Sequence, residues 1–472
     1  MIYDGLFDLG YEGIIMNIIL ISLDTLTAGH LGCYGYWKNT SPNLDKFAEN
    51  STLFENCFAP GIPTQPCYTT TFSGREPLDH GIVAHSGVFD VREDVVFVPE
   101  ILSDVGYYTA CVSSLPNMKP WFKRGWQENI PPSKIGRYIQ MVTAESINNA
   151  AVPWLENRKP GDNFFLFLHY WDVHTPYFSP MKYRNRFYKG DPGNPDMTSF
   201  LPFDDDPFAE WWLKATDDEG EFTGWIARLA REAGVEKITD AEYIVAQYDA
   251  ELAYLDDHII EIFDVLDKTG LSEDTFIMFM SDHGEEMYEH GIFFDHHGLY
   301  DPNIHTPLFA RMPGQEQGYR FEEHARHQDI AVTLLELAGA DVPEEMVGMS
   351  LVPFLKGDRP DNWREDTLLT EENSWMSKWG LRKNGFKFIK ARAKDWHNYP
   401  PRELYHIPSD PGETHNLVEA EKELADEMDA ELEAMVVEGM KRYGRTVDPL
   451  VEQGLSPMGQ RAWDWIKKSK YW

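Results

Sequence analysis

The stretch NIILISLD at residues 17–24 decides how this chain folds. A continuous apolar run rich in isoleucine ends directly in the carboxylate of Asp24. Runs of this kind are typical of strands that are buried on both faces in the middle of a parallel sheet. Ligands of such sheets bind at the carboxyl ends of the strands. We therefore expect residues 17–23 to form a central strand that brings Asp24 to the ligand-binding edge.

Two further segments repeat this pattern. NFFLFLHYWDVHTPY (163–177) is an apolar strand that runs into a loop with a histidine, and DTFIMFMSDHGEE (274–286) is an apolar strand followed by an acid. Residues 240–267 have the 3.6-residue periodicity of a long helix, and residues 41–50 open with the Ser-Pro start signal of a short one. Strands that alternate with helices predict an α/β fold with a large, mostly parallel sheet flanked by helices.

The alternation stops at several points, which divide the chain. Residues 186–235 are rich in proline, glycine and acids, and we interpret them as an insertion and a candidate lid. Residues 366–440 predict a smaller α+β subdomain, an antiparallel sheet closed by a helix at 419–437. The other predicted units are an N-terminal extension (1–15), the catalytic domain (16–365) and an aromatic-rich tail (441–472) that is a candidate docking or dimer arm.

The composition is that of a folded and strongly acidic protein. Of its 472 residues 42% are hydrophobic, and the formal net charge is −36. Such a surface repels nucleic acids and anionic lipids, so neither is an expected partner. A small anionic substrate must be bound by local cations or by a metal ion, because the field of the whole protein opposes it.

The cysteines and the N-terminus bear on the compartment. The four cysteines have no C-x2-C spacing, and we expect reduced thiols in the core rather than a disulfide framework. MIYDGLFDLGYEG at the N-terminus has no basic region, and the apolar stretch after it is too short to span a bilayer. These features predict a cytoplasmic protein with no membrane partner, and the tail makes a homo-oligomer a candidate assembly.

Three elements at predicted strand ends carry side chains that suit a divalent metal. They are Asp24, Thr64 and the neighbouring pair of Asp282 and His283. The carboxyl ends of parallel strands meet at one edge of a sheet, so these side chains are expected to converge there. Two carboxylates and an imidazole form a suitable cage for a divalent cation. Each residue alone would more often be a surface or capping residue, and only the joint pattern predicts a metal site.

Residues 61–81, GIPTQPCYTTTFSGREPLDHG, resemble the signature of the sulfatase family, C-x-P-S-R followed six residues later by Gly-Arg. Aligned on the Gly-Arg pair, the signature puts the family's cysteine, proline and arginine on Thr64, Pro66 and Tyr68. That cysteine is converted to formylglycine in the family, and a threonine cannot undergo the conversion. The resemblance runs from about residue 16 to 420, and it implies an alkaline-phosphatase-like core with Thr64 as a hydroxyl nucleophile.

The resemblance also implies the metal ligands. SLDTLTAGHLGCYGY puts Asp24 on the family's first metal carboxylate, and SDHGEEMYEHG puts Asp282 and His283 on the metal. Many sulfatases have a second acid where this chain has Thr25 and an asparagine where it has His283. These departures shift the expected divalent metal from Ca towards Mn, Zn or Fe, with Ca or Mg as alternatives. Together with Thr64, this shell resembles that of the phosphonate monoester hydrolase and phosphodiesterase branch.

Further site residues follow from the same resemblance. HTPY puts His174 where the family has a histidine that reaches the leaving-group oxygen. DHHGLYD puts His296 where many members carry a lysine that contacts the sulfate or phosphate, so both histidines are catalytic candidates. Arg75 and His297 are the candidate substrate-binding residues, although Arg75 is more often a brace of the signature turn. The usual K-x-H after G-Y-x-T-A is absent, and the candidates for the lost cation are Lys119, Lys123 and Arg124.

These residues predict a metal-dependent hydrolase of small anionic esters. The metal would activate the hydroxyl of Thr64, which would attack phosphorus or sulfur in line, while His174 or His296 assists the leaving alcohol. A threonine ester must be hydrolysed directly, whereas a formylglycine enzyme eliminates its product. This difference slightly favours phosphate or phosphonate esters over sulfate esters. The alternatives are a sulfatase that acts without formylglycine, a phospho-group transferase and a non-catalytic relative.

Overall fold

The run of isoleucines at residues 17–23 forms a strand in the middle of an eight-stranded sheet, as its sequence predicts. The computed structural model describes residues 16–135, 139–194, 225–364 and 368–468. The strands in these ranges are β1 (Asn17–Leu23), β2 (Thr52–Phe58), β3 (Gly61–Ile62), β4 (Tyr108–Val112), β5 (Glu128–Ile130), β6 (Phe164–Tyr170), β7 (Thr275–Met280), β8 (His305–Arg311), β9 (Tyr319–Arg326), β10 (Leu368–Glu372), β11 (Lys378–Lys383), β12 (Phe386–Ala391) and β13 (Arg402–His406).

Helices connect these strands, and most of them are short. They are α1 (Pro42–Glu49), α2 (Thr64–Ser73), α3 (Pro77–His80), α4 (Val98–Asp104), α5 (Ala144–Glu156), α6 (Met181–Arg184), α7 (Trp225–Ala233), α8 (Ala241–Thr269), α9 (Asp301–Ile304), α10 (His327–Leu337), α11 (Val352–Leu355), α12 (Lys422–Arg442), α13 (Pro449–Gln453) and α14 (Pro457–Ile466). Within the described ranges, none of them is both long enough and apolar enough to cross a membrane.

The large sheet has the strand order β5-β4-β6-β1-β7-β8-β2-β9. Its neighbouring strands are parallel except where β8 pairs with β7 and with β2. Alternate side chains of β1 point to opposite faces of the sheet. Ile19 and Ile21 pack in one apolar layer with α5 and α8, and Ile18 and Leu20 pack in the other with α4 and α10. The predicted α/β fold with a mostly parallel sheet between helices is confirmed.

The smaller sheet has the order β13-β12-β11-β10-β3, and it is antiparallel apart from the β3–β10 pair. The predicted antiparallel sheet of the C-terminal region is therefore confirmed. Helix α12 packs on it through Leu432 and Val436 and extends beyond its predicted end at residue 437. The extra turn lets Gly439 lie so close to Leu78 that an added Cβ would be 2.6 Å from the Leu78 side chain.

Two predicted segments lie wholly or largely outside the described residues. These are the N-terminal extension (1–15) and residues 195–224 of the predicted insertion and candidate lid. The tail is described as far as residue 468 and forms α13 and α14. Ala462 and Ile466 of α14 are buried in the apolar layer that contains Ile19 and Ile21, so this part of the tail packs on the chain's own core. All four cysteines are free thiols.

Candidate active site

Three segments meet at the carboxyl edge of the large sheet. Strand β1 ends before Asp24, strand β7 leads into Asp282 and His283, and strand β3 leads into α2, whose first residue is Thr64. Strands β1 and β7 are parallel neighbours, so their carboxyl ends lie side by side. The ligand atoms of Asp24, Asp282 and His283 lie within 4.8 Å of one another, and all three residues are buried. Thr64 Oγ1 lies 3.4 Å from His283 Nε2, so the four predicted metal-site residues are together.

The charges of this cluster fit a divalent cation. Burial, followed by the nearby charge of Asp24, raises the pKa of the Asp282 carboxyl well above its ordinary value. Asp282 Oδ2 has no hydrogen-bond partner among the described residues, and a cation would satisfy it. Burial lowers the pKa of His283 and keeps its imidazole neutral, which is the form that binds metals. His283 Nδ1 donates to the carbonyl oxygen of Gly284 at 2.9 Å, so Nε2 carries the lone pair.

Asp24 is oriented by a histidine that the sequence analysis did not identify. His169 Nε2 lies 3.0 Å from Asp24 Oδ2, and His169 Nδ1 lies 3.0 Å from Ser113 Oγ. Burial acts to raise the pKa of Asp24, but the hydrogen bond and the charge of His169 outweigh it, and the pKa is lowered. Asp24 is therefore kept in the ionised form that a metal ligand needs.

A signal for His169 is present in the sequence. It is the one imidazole within the apolar run FFLFLHY of β6, and β6 is buried along its whole length. In the parallel register it lies opposite Ser22, two residues before Asp24. Histidines in buried strands need a polar partner, and Asp24 after the end of β1 supplies one.

Thr25 stands where many sulfatases carry a second acid. Its backbone lies in the left-handed region, with φ 62°, which a β-branched residue rarely adopts. Its N–H donates to Asp282 Oδ1 at 3.2 Å, and its hydroxyl donates to Asp24 Oδ1 at 2.7 Å. In place of a third carboxylate, Thr25 supplies two hydrogen bonds that connect the two acids of the cluster.

Helix α2 presents Thr64 at its positive end. All ten of its residues are buried, and it ends at Gly74 in the left-handed conformation, with φ 63°. The N–H groups and the dipole at a helix N-terminus favour negative charge, such as an alkoxide or an anionic ester oxygen. Tyr68, at the position of the signature arginine, pairs its hydroxyl with Ser22 Oγ at 2.7 Å and packs in the core.

Thr64 lines a cavity of about 430 Å³. Its polar lining includes the predicted catalytic histidines His174 and His296. The other lining residues form a mixed wall with a large apolar part: Pro63, His85, Met118, Ile139, Gln140, Trp171, Asp295, Trp375, Met458 and Arg461. The cavity thus joins the metal-site cluster to a space large enough for the alcohol part of an ester.

The three histidines that line this cavity are neutral in their surroundings. Burial lowers the pKa of His174, lowers that of His296 further, and lowers that of His85 to about 4. His174 Nδ1 donates to the carbonyl oxygen of Thr175 at 2.6 Å, so its Nε2 carries the lone pair. His296 Nδ1 lies 3.3 Å from Oε1 of Glu285, a carboxyl whose pKa is raised well above its ordinary value by burial. The raised pKa favours a protonated Glu285 that donates to Nδ1, an arrangement in which the proton of His296 is on Nε2.

The two predicted substrate-binding residues lie elsewhere. Arg75 is buried and donates to Asp79 Oδ2 at 3.1 Å and to the carbonyl oxygen of Asp94 at 3.4 Å. His297 is buried with its Nε2 3.1 Å from His397 Nε2. Neither residue lines the cavity that contains Thr64. The arrangement of Arg75 is that of a brace, because the i,i+4 pair with Asp79 ties the signature turn to α3.

Two of the three candidates for the lost cation, Lys119 and Arg124, have other partners. Lys119 Nζ donates to the carbonyl oxygen of Gly87 at 3.1 Å, and Arg124 pairs with Glu100 at 2.9 Å. The cavity instead receives Arg461 from α14. This residue comes from the tail, and no local pattern in the sequence connects it with the signature segment.

Two family models match the chain. A model described as Sulfatase matches residues 16–340, which is more than half of the chain. The chain belongs to the sulfatase family. A second model, described as N-sulphoglucosamine sulphohydrolase, C-terminal, matches residues 288–438. The resemblance inferred from residues 61–81 is thus confirmed, and the protein is an ester hydrolase of this family.

Characterised sulfatase-family relatives differ in chemistry. The N-acetylglucosamine-6-O-sulfatase of Bacteroides thetaiotaomicron is 23% identical over 471 residues, covering 85% of this chain and 82% of the relative. A multifunctional alkaline phosphatase superfamily protein of Trinickia caryophylli is 23% identical, covering 69% and 73%. The crystal structure of the phosphonate monoester hydrolase of Agrobacterium radiobacter superposes with a TM-score of 0.69 at 20% identity, covering 91% of this chain and 96% of that one. This likeness confirms the alkaline-phosphatase-like fold.

Proposed function

We propose that this protein is a metal-dependent hydrolase of phosphate or phosphonate esters and that Thr64 is its nucleophile. The observation that carries the proposal is the position of Thr64. Its hydroxyl lies beside His283 Nε2 at 3.4 Å, at the start of a buried helix, and lines the cavity. Threonine cannot form formylglycine, so the hydroxyl itself has to attack the substrate.

The ligands of the proposed metal are Asp24, Asp282 and His283, with Thr64 beside them. When bound there, a divalent cation lowers the pKa of a neighbouring hydroxyl and neutralises charge on an ester oxygen. Two carboxylates and one neutral imidazole favour Mn, Zn or Fe, and Ca or Mg are the alternatives. His169 and Thr25 hold Asp24 in position by hydrogen bonds.

In the first step of the proposed reaction, Thr64 Oγ1 loses its proton to solvent and attacks phosphorus in line. The bond between phosphorus and the leaving oxygen breaks. His296 gives the leaving oxygen the proton from its Nε2 and takes one on Nδ1 from Glu285, whose Oε1 lies 3.3 Å away. The products of this step are the free alcohol and a phosphorus ester of Thr64.

In the second step, water hydrolyses the threonine ester. His174 Nε2 carries a lone pair, because Nδ1 donates to the Thr175 carbonyl oxygen. It can therefore accept a proton from water as the water oxygen attacks phosphorus. The bond to Thr64 Oγ1 breaks and this oxygen takes up a proton from solvent, which restores the hydroxyl. His174 releases its proton to solvent, and Glu285 takes one up again.

The preference for phosphorus rests on the second step. Phosphoryl groups on hydroxyl residues are hydrolysed by direct attack, whereas the formylglycine route releases sulfate by elimination through the aldehyde hydrate. The likeness to a phosphonate monoester hydrolase and to a multifunctional superfamily protein supports this choice. The second candidate is a sulfatase that acts without formylglycine, and the match to the N-acetylglucosamine-6-O-sulfatase favours it.

Matched p-nitrophenyl esters distinguish these candidates. The metal-reconstituted protein is assayed with the phosphate, the bis-phosphate, the phenylphosphonate and the sulfate, and Thr64→Ala is the control. We expect phosphodiester or phosphonate turnover well above sulfate turnover, and loss of both in Thr64→Ala. Sulfate as the best substrate would overturn the preference for phosphorus. Equal turnover by Thr64→Ala would overturn the assignment of the nucleophile.

A further inference from the structure

The cavity receives two side chains from the C-terminal helix α14. Met458 and Arg461 both line it, and their i,i+3 spacing puts them on one face of the helix. The helix lies beyond the residues that the two family models match, which end at 340 and 438. These two side chains therefore lie outside the segments that the two family models describe.

Helix α14 is fixed against the loop that carries Trp375, another lining residue. Ser456 Oγ caps the helix by accepting from the N–H of Gly459 at 3.1 Å, and it donates to the carbonyl oxygen of Ser374 at 3.1 Å. Gly459 lies so close that an added Cβ would be 2.0 Å from that same oxygen. Since Ala462 is buried in the core, Arg461 is presented from an anchored helix rather than from a loose end.

Arg461 is the one lysine or arginine among the described lining residues of the cavity. The other ionisable lining groups are His85, His174, His296 and Asp295. Within the described ranges no acid lies within ion-pair distance of Arg461. The net charge of −36 opposes the entry of an anionic substrate. A cation in the cavity offsets this repulsion locally and attracts the anionic group that lies nearest to it.

Much of the cavity wall is apolar. Met118, Trp171, Trp375 and Met458 line the same cavity as Thr64 and Arg461. Flat aromatic side chains and methionines suit a ring, and a guanidinium suits a carboxylate, which it binds with two parallel hydrogen bonds. In the proposed reaction the metal-site cluster binds the reacting phosphorus group. Arg461 is therefore available to bind a second anionic group of the substrate.

We propose that Arg461 and this apolar wall form the leaving-group subsite, and that it takes a ring alcohol bearing a carboxylate. The inference rests on the proposed function, because it assigns the leaving group to the cavity beside Thr64. Arg461 is then a specificity-determining residue, and the favoured substrates are esters with one anionic centre at the metal-site cluster and another at Arg461.

Two unreactive ligands test the subsite without turnover. They are (4-carboxybenzyl)phenylphosphinate and its 4-carbamoyl analogue. In both ligands a methylene replaces the oxygen that bridges phosphorus and the leaving-group ring in the ester substrate. Calorimetric titration of the metal-loaded protein is expected to show roughly tenfold tighter binding of the carboxylate ligand. Arg461→Gln should remove that preference, and Arg461→Lys should keep part of it. Lys467→Gln is the matched control, because it removes an exposed cation that directly follows the same helix and lies outside the cavity.

Each outcome bears on the subsite separately from the reaction. The same ratio of affinities in Arg461→Gln and in the unaltered protein would overturn the inference, and so would failure of both ligands to bind. A preference that depends on Arg461, in a protein that hydrolyses none of the four p-nitrophenyl esters, would retain the subsite and reject the proposed function. Hydrolysis of those esters without a preference that depends on Arg461 would retain the proposed function and reject the subsite.

Discussion

The two ends of the cavity are built in different ways. At the reacting end, Asp24, Thr64, Asp282 and His283 are at most 2% exposed and are held by strand ends and by the first residue of α2. At the leaving-group end, the side chains come from connecting loops and from α14; Met118, Gln140 and Met458 are half-buried and Arg461 is exposed. Strand ends position the proposed reacting groups, whereas the proposed leaving-group subsite is lined by loop residues and by α14, which packs in the core through Ala462 and Ile466.

The largest effect expected from this comparison is at the reacting end. Thr64→Ala should lower kcat for the best ester by roughly 10³- to 10⁶-fold, because it removes the attacking oxygen. Thr64→Ser keeps a hydroxyl and should stay within about tenfold of the unaltered protein. Cys67→Ser is the control for the nearby thiol, which is buried and donates to the carbonyl oxygen of Gly61. Loss of activity in Cys67→Ser but not in Thr64→Ala would identify Cys67 rather than Thr64 as the nucleophile.

The next effect concerns the support of Asp24, a proposed metal ligand. His169→Gln should weaken metal binding by about 10- to 100-fold, because Asp24 Oδ2 loses the imidazole that holds it at 3.0 Å. Calorimetric titration with Mn or Zn measures the change. His30→Gln is the matched control, since His30 pairs with Asp249 at 2.7 Å, away from the metal ligands. Equal metal affinity in both variants would mean that His169 does not position Asp24.

A buried histidine that contacts α2 makes the stability of the folded protein depend on pH. His80 accepts from the N–H of Ile82 on Nδ1 at 3.0 Å, lies 2.9 Å from Thr70 Oγ1, and has its pKa lowered to about 3 by burial. The unfolded chain takes up a proton below pH about 6.5 and the folded chain does not, so stability falls as the pH drops from 6.5 towards 3.

His80→Gln removes this titration. Between pH 7 and pH 5 the unfolding free energy of the unaltered protein should fall by about 2 kcal/mol more than that of the variant. Urea unfolding at the two pH values measures the difference. An equal loss in both proteins would show that His80 does not remain neutral in the folded state.

The smallest effect is expected at the leaving-group end. Gly459→Val should move α14 away from Ser374, because an added Cβ would be 2.0 Å from its carbonyl oxygen. We expect KM for the best ester to rise about threefold to tenfold and kcat to stay within about twofold, since only ground-state binding changes. Gly412→Val, where the nearest atom is 3.6 Å from an added Cβ, is the control. A larger effect on kcat than on KM would show that α14 also affects the reacting groups, and it would contradict the separation of the two ends.

The sequence predicted the reacting end because its residues follow local patterns. Asp24 and Asp282 each come shortly after an apolar run, and Thr64 lies in a motif whose spacing identifies the family. Parallel pairing of β1 and β7 then brings the acids together without further information. His169 was missed because the apolar run around it looks like any buried strand, and its role depends on the register with β1.

The leaving-group end could not be predicted in the same way. Arg461 is almost four hundred residues from Thr64 and reaches the cavity only through the packing of α14 on Ser374 and the core. No periodicity or spacing encodes that contact. Arg75 follows a local pattern as well, since the sequence favoured a brace over a substrate-binding role and the structure pairs it with Asp79, four residues along.

The central claim is that Thr64 forms a covalent ester with the substrate. The most direct measurement is peptide mass spectrometry of the metal-loaded protein, acid-quenched during turnover of p-nitrophenyl phenylphosphonate. We predict a phenylphosphonyl group on Thr64, absent from the unreacted protein. Unmodified Thr64 during full turnover, or the group on another residue, would contradict the claim.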